Sequence, residues 1–232
     1  MSWKRLSIEA GAIVLSILLA FAIDASWDER QERLEERGIL EALQRDFLRN
    51  QQALIQVVAL HEVHEERVSR LGRMSREGVL ALSPDSVGAF VASLAAPATF
   101  DPERGTVDAL IGAGKLGLLR DPNLREALTR FLNAMEDARE DAFYLQQFAV
   151  RVWETSVRYG GPWDVPIDVR RQGRLGFLPE PSAATLANIH SDPELMGLIR
   201  QLRYSAWVYV GELEAGQIQI EAVLSLLERA LD

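Results

Sequence analysis

The sequence predicts an all-α protein in which an N-terminal transmembrane helix continues into an elongated antiparallel helical bundle of three long helices plus short ones. Three observations carry this. Ala10–Ile23 is free of charge and runs without a breaker into a strongly charged helical stretch. From Leu40 to Leu71 apolar residues recur at three-four spacing for more than four heptads, the pattern of a helix buried along one seam. There is no β-hairpin signal and no repeat of fixed period. At 232 residues, with 48% hydrophobic and 25% charged residues, one folded domain plus an anchor is expected.

The anchor is assigned to residues 6–25, after a cytoplasmic N-terminus of residues 1–5. Trp3 and Trp27 bracket it about 36 Å apart along a helix, between the hydrocarbon thickness and the full bilayer thickness, where indoles favour the interfaces. Ala20-Phe21-Ala22 imitates a signal-peptidase site, but the helical pattern continues through Asp24 with no break, which favours retention. Lys4 and Arg5 precede the segment; Arg30, Arg33 and Arg37 follow it. A five-residue N-terminus before a large domain favours the cytoplasmic side for the N-terminus, and in a bacterium places residues 26–232 in the periplasm. Glu9, Ala12, Ser16 and Ala20 form one stripe whose small members let a second helix approach closely in lipid, and Glu9 is expected to snorkel or to face that helix.

Beyond the membrane the seam reads Leu40, Leu43, Phe47, Asn50, Leu54, Val57, His61, His64, Val68, Leu71. With no proline before Pro84, anchor and seam form one rod to about Arg76, with Gly38 the expected kink. Residues 77–120 form a short-helix insertion. Within it Ser83-Pro84-Asp85 opens a helix ending before Pro97, and Thr106–Gly112 is another. Asp121-Pro122 caps a second rod reaching Tyr159, which Gly160-Gly161-Pro162 stops. A short helix near Ser182–Ile189 follows. Ser191 with Glu194 reads as the capping box of a last rod running almost to Asp232.

The stretches "IDASWDERQERLEERGILEALQRDF" (Ile23–Phe47) and "TVDALIGAGKLGLLRDPNLREALTRF" (Thr106–Phe131), with Gly114, Leu116, Leu118, Leu119, Leu124, Arg125 and Leu128 in the second, resemble an uncharacterised family of bacterial single-pass membrane proteins. That resemblance covers about a third of the chain. It implies an N-terminal anchor and a helical extracytoplasmic domain and carries no activity, cofactor or site; Phe131-Leu132 departs from the family's aromatic pair.

Chemistry-bearing groups are sparse. A net charge of −9 excludes a phosphate-tracking nucleic-acid surface, and the absence of cysteine excludes disulfides and thiolate metal sites. The 23 arginines against two lysines read as genome composition. His61, His64 and Glu65 share a helical face and are the only metal candidates, but a third or fourth ligand must come from another helix, so seam positions that set register are the expected role. "GAGKLG" (Gly112–Gly117) lacks the Ser or Thr after lysine and follows a helix, unlike a phosphate loop. Acidic pairs such as Glu35-Glu36, Glu65-Glu66 and Glu136-Asp137 read as solvated faces, and Trp153, Trp207, Tyr204 and Tyr209 as core and helix-contact aromatics. In the 160–181 loop, Trp163, Phe177, Arg170, Arg171 and Arg174 are expected near the headgroups, provided the second rod returns antiparallel to the first.

No catalytic set and no cofactor is expected. The leading expectation is a non-catalytic accessory or structural subunit of a larger membrane complex, respiratory or photosynthetic for example, in the bacterial inner membrane, touching membrane lipids and neighbouring subunits. The alternative is a membrane-anchored periplasmic ligand-binding or sensor module, which requires an apolar pocket between helices where the subunit reading requires a filled core. A metalloenzyme ranks third.

Overall fold

In the computed structural model the described residues are 3–95, 97–159 and 182–232, with the side chains of residues 3–14 and Ala95 outside the description. These residues are all helix and connecting segments, without a strand among them. Helix α1 spans Trp3–Arg73, α2 Arg76–Leu80, α3 Pro84–Ala95, α4 Gly105–Gly112, α5 Pro122–Ser156, α6 Ala183–His190 and α7 Pro193–Leu231, with single 3-10 turns at Leu116–Leu118 and Val157–Tyr159. Helix α1, 71 residues and about 107 Å long, passes through Gly38 without interruption.

The three long helices bury the seams expected of them. Leu43, Phe47, Leu54 and Leu71 of α1 are fully buried, as are Leu124, Phe131 and Leu145 of α5 and Leu213, Ile220 and Leu227 of α7. Helix α7 lies antiparallel to α1, since His61 meets Tyr209 and Glu65 meets Arg203. It is antiparallel to α5 as well, because Gly216 faces Met135 while Arg158 pairs with Glu194.

The relation of α1 to α5 corrects an expectation. Leu40 and Leu124 line one hollow, Phe47 stacks on Phe131 at 4.7 Å between ring centroids, and His61 shares a cleft with Leu145. The two helices therefore run parallel. The insertion brings the chain back first: Asn50 holds Glu103, Asp46 holds Thr106 and Glu35 holds Lys115, so residues 98–115 descend along α1. The result is an up-down-up-down four-helix arrangement whose second member is broken into α2, α3 and α4, with α1 and α5 on a diagonal.

Two further corrections follow from local geometry. The cap of α7 is Asp192, whose carboxylate accepts from the N–H of Glu194 (2.9 Å) and of Leu195 (3.1 Å); Pro193 at the first helical position fixes the cap one residue later than Ser191. Ser191 instead closes α6, its hydroxyl donating to the Ala187 carbonyl at 2.7 Å. The "GAGKLG" turn is a helix stop: Gly114 has φ +66°, and the N–H groups of Lys115 and Gly114 donate to the carbonyls of Leu110 and Ile111, the two bonds of a Schellman motif.

The far ends of the rods are tied together. The Arg76 guanidinium donates to the Ala187 carbonyl, the Ser191 hydroxyl and Asn188 Oδ1 at the end of α6, and the Tyr159 hydroxyl donates to Asp192 at 2.7 Å. Tyr159 and Ser182, which flank the 160–181 loop, thus sit at the end remote from the start of α1. From Ile23 to Arg73 the helix rises about 75 Å. A connection of 22 residues that leaves and returns to this end reaches back at most about 40 Å. The return of the second rod towards the membrane, on which the headgroup placement of the loop was conditional, is not what the structure shows. Trp163, Arg170, Arg171, Arg174 and Phe177 themselves lie outside the described residues.

At the opposite end α1 projects beyond the bundle; every residue from Leu15 to Glu35 is exposed, and the stretch meets other elements where Glu29 lies 3.8 Å from Arg120 and Glu35 holds Lys115. Among the described residues no helix is long and apolar enough to cross a membrane. The side chains of residues 3–14, which begin the apolar run, are outside that description.

Candidate functional site

An open cleft of about 590 Å³ lies in the upper half of the bundle, between α1 and α7, with the end of α3 on one side and Leu145 of α5 at its floor. It exists because the segment after α3 leaves the helical path there. Pro97 follows α3, and residues 97–104 run without helix. Their backbone groups are taken up by buried side chains of the long helices. Asn50, 1% exposed, donates to the Glu103 carbonyl (2.9 Å) and accepts from the Glu103 N–H (2.6 Å). His61 Nε2 donates to the Ala98 carbonyl at 2.8 Å, and the Tyr209 hydroxyl accepts from the Phe100 N–H at 2.7 Å. A carbonyl oxygen only accepts, so the proton of a neutral His61 is on Nε2.

The cleft walls are mostly apolar: Val68, Leu94, Pro97, Ile199 and Val210 line it, with Trp207 and Tyr204 at the mouth. Trp207 is 71% exposed, and its ring lies 6.0 Å from that of Tyr204. These two and Trp153, read from the sequence as core and helix-contact aromatics, are exposed. Only Tyr209 of the four is buried there, stacked edge-on against His61 at 5.7 Å.

Burial pushes the imidazoles of both His61 and His64 below the ordinary histidine range, and for His64 the neighbouring His61 and Arg67 add to it. Both rings are therefore neutral at neutral pH. The Glu65 carboxylate is held below the usual carboxylate range by the hydrogen-bonded Arg203 guanidinium, which grips both its oxygens and the Ser69 hydroxyl. Of the metal candidates, then, His61 has spent Nε2 on Ala98 and Glu65 is closed by Arg203, while His64 faces the cleft. Among the described residues no group of three or more metal-type side chains is assembled.

Compared with known families, curated proteins and solved structures, the chain matches none. What the cleft can do is therefore read from its own groups. It offers apolar walls, two neutral imidazoles, and an arginine at its upper rim: Arg200 is exposed and has no ion pair or hydrogen bond among the described residues.

The remaining candidates sit elsewhere. Ser16, Ala20 and Trp27 lie on the projecting, exposed part of α1; the side chains of Trp3, Glu9 and Ala12 are outside the described residues. Lys115 of the glycine turn is occupied by Glu35 at 2.6 Å. Several acidic residues expected as solvated faces are instead ion-pair partners between elements, Glu35 and Glu36 fastening Lys115 and Arg120, and Glu65 fastening Arg203. No sequence signal pointed to Arg200, Arg203 or Trp207 as neighbours of His64, because their proximity depends on the antiparallel register of α1 and α7.

Proposed function

We propose that the protein is a non-catalytic accessory subunit of the bacterial inner membrane, held by α1 with its N-terminus in the cytoplasm and its bundle in the periplasm, where it contacts other subunits of a larger membrane complex. The single observation that carries this reading is the free end of α1. Leu15, Ile17, Leu18, Leu19, Phe21 and Ile23 are all large, apolar and about half exposed or more, on every side of the projecting part of α1. A helix apolar all round needs lipid or protein around it. In water each such side chain forgoes about 1.5–3 kcal/mol of burial.

The uncharged run continues upstream to Ala10, and only with Leu6–Glu9 and Asp24–Ala25 does the anchor of residues 6–25 reach the roughly 20 residues of a span; its flanks resemble those of single-pass proteins. Between Ile23 and Glu35, which holds Lys115 of the bundle, a charged stretch of about 18 Å follows the apolar end and suits the passage through headgroups into solvent. An outer surface suited to other subunits is present on α5 and the turn after it, where Phe143, Val150 and Val157 recur every seven residues, exposed, beside Trp153.

The test is fractionation of the full chain. It should stay with membranes through alkaline carbonate washing, and deletion of residues 2–25 should release a folded bundle. Release of the full chain by the wash would refute the anchor. Mild-detergent purification from native membranes with mass spectrometry then identifies the neighbours.

A further inference from the structure

The cleft between α1 and α7 has a use that the anchored-subunit reading does not require. Its groups are ordered along the helix axis. Arg200 lies at the upper rim, Tyr204, His64 and Trp207 at the middle, and Glu62 and Glu214 towards the lower end. From Arg200 to Glu214 the helix rises about 21 Å, so the hollow is long as well as apolar. Leu94, Pro97, Leu145 and Ile199 form an uncharged wall along it. The charged bridge near its middle, Glu65 with Arg203, is already mutually neutralised. Ligand sites usually have this volume, this apolar lining and a few placed polar groups.

We propose that this cleft binds a single-chain apolar carboxylate, a fatty acid or close analogue, with the carboxylate on Arg200 at the upper rim and the chain lying against Trp207, Leu94 and Leu145. The planar guanidinium suits a carboxylate in a two-point contact. Glu62 and Glu214 at the lower end repel the same head, so the charge order fixes the direction of the ligand. The neutral ring of His64 adds a polar group midway without adding charge. The proposal does not depend on what, if anything, the chain assembles with.

The experiment uses the full chain in phosphatidylcholine nanodiscs and a diazirine-bearing dodecanoate, with the labelled residues mapped by mass spectrometry so that probe dissolved in lipid is distinguished from probe in the cleft. Label is expected on peptides containing Leu94–Pro97, Leu145 and Trp207. Excess dodecanoate should suppress it at least fivefold, while dodecyltrimethylammonium at the same concentration should suppress it less than twofold. Arg200→Gln, at an exposed position, should cut cleft labelling at least fivefold with helix content unchanged, and Ala206→Phe, which fills the middle of the cleft, should do the same. Should Ala206→Phe prove unfolded, Arg200→Gln decides alone. Label confined to residues 6–25, or cleft label that Arg200→Gln leaves unchanged, overturns the proposal. Competition by lysophosphatidylcholine as strong as by dodecanoate overturns the carboxylate assignment in favour of membrane lipid.

Discussion

Asn50 holds the backbone of Glu103 at both its polar groups, donating to the carbonyl and accepting from the N–H, so that one buried side chain replaces two hydrogen bonds that a helix would have supplied. The same device recurs with His61 at Ala98 and Tyr209 at Phe100. The non-helical descent between α3 and α4 is thus fastened to α1 and α7 by side chains rather than by backbone pairing. Asn50→Leu should cost about 2–4 kcal/mol, since it strands a half-buried N–H and C=O and crowds a packed seam. Asn50→Asp keeps the acceptor but puts a carboxylate oxygen in a buried site against the Glu103 carbonyl, and is expected to cost at least as much at neutral pH. Urea unfolding of the two variants checks the order.

Gly216 is the point of closest approach in the α5–α7 pair, because a side chain there meets the Met135 methyl. That methyl ends a flexible chain, so it can swing aside for one carbon. Gly216→Ala combines a gain of about 1 kcal/mol in helix propensity with this small displacement, and is expected to be within about 1 kcal/mol of neutral. Gly216→Leu has no such escape, with Leu54 on the other side, and should lower stability by about 2 kcal/mol or more. Thermal melts of both distinguish close packing from a merely permissive site.

Acid should weaken the bundle before any carboxylate is protonated. His61 and His64 have pKa values depressed by burial below the ordinary 6.5, so above 6.5 they are neutral folded or unfolded and contribute nothing. As pH falls through 6.5 the unfolded chain binds protons that the folded chain refuses, and stability declines until the folded values are reached. The Glu65 contribution behaves separately. Its carboxyl is depressed below 4.5 by Arg203, so its stabilisation is complete above that value and is lost only as pH drops further. Melting temperature should therefore slope downward from about pH 7 towards about pH 5, and His64→Gln with His61→Gln should flatten that slope while lowering the plateau. An unchanged slope in the double variant would contradict the burial argument.

The rods were legible in the sequence because their seams are periodic: Leu40 to Leu71, Leu124 to Val152 and the last helix bury the residues that three-four spacing selects. Caps before proline were equally legible, Asp121 and Ser83 among them, since Pro122 and Pro84 fix the first helical turn. The direction of the second rod was not. Spacing along one helix carries no information on whether the next runs beside it or against it, and only the contacts of Asn50, Asp46 and Glu35 with residues 103–115 settle that the insertion makes the return. For the same reason Asn50 and His61, polar residues on an apolar seam, looked like register devices between rods and are clamps on a loop. The exposure of Trp207 and Tyr204 was hidden because aromatic residues on a helix signal burial in most bundles, and here they line the mouth of a cleft.

The return of the chain before α5 changes what the basic loop can touch. With α1 and α5 parallel, Tyr159 and Ser182 lie with Arg76, Asp192 and the end of α6, at the end of the bundle remote from the apolar part of α1. The separation of about 75 Å between Ile23 and Arg73 exceeds the roughly 40 Å that 22 residues can span out and back. Arg170, Arg171 and Arg174 lie outside the described residues, and flanks so placed predict no contribution from them at the bilayer that surrounds residues 6–25 in the anchored reading. Changing all three to Gln should leave affinity for anionic vesicles, measured by co-sedimentation of the full chain, within about twofold of the parent. A large loss of vesicle binding from the three glutamine substitutions in the full-length chain would show that α5 does not end where Arg158 meets Glu194.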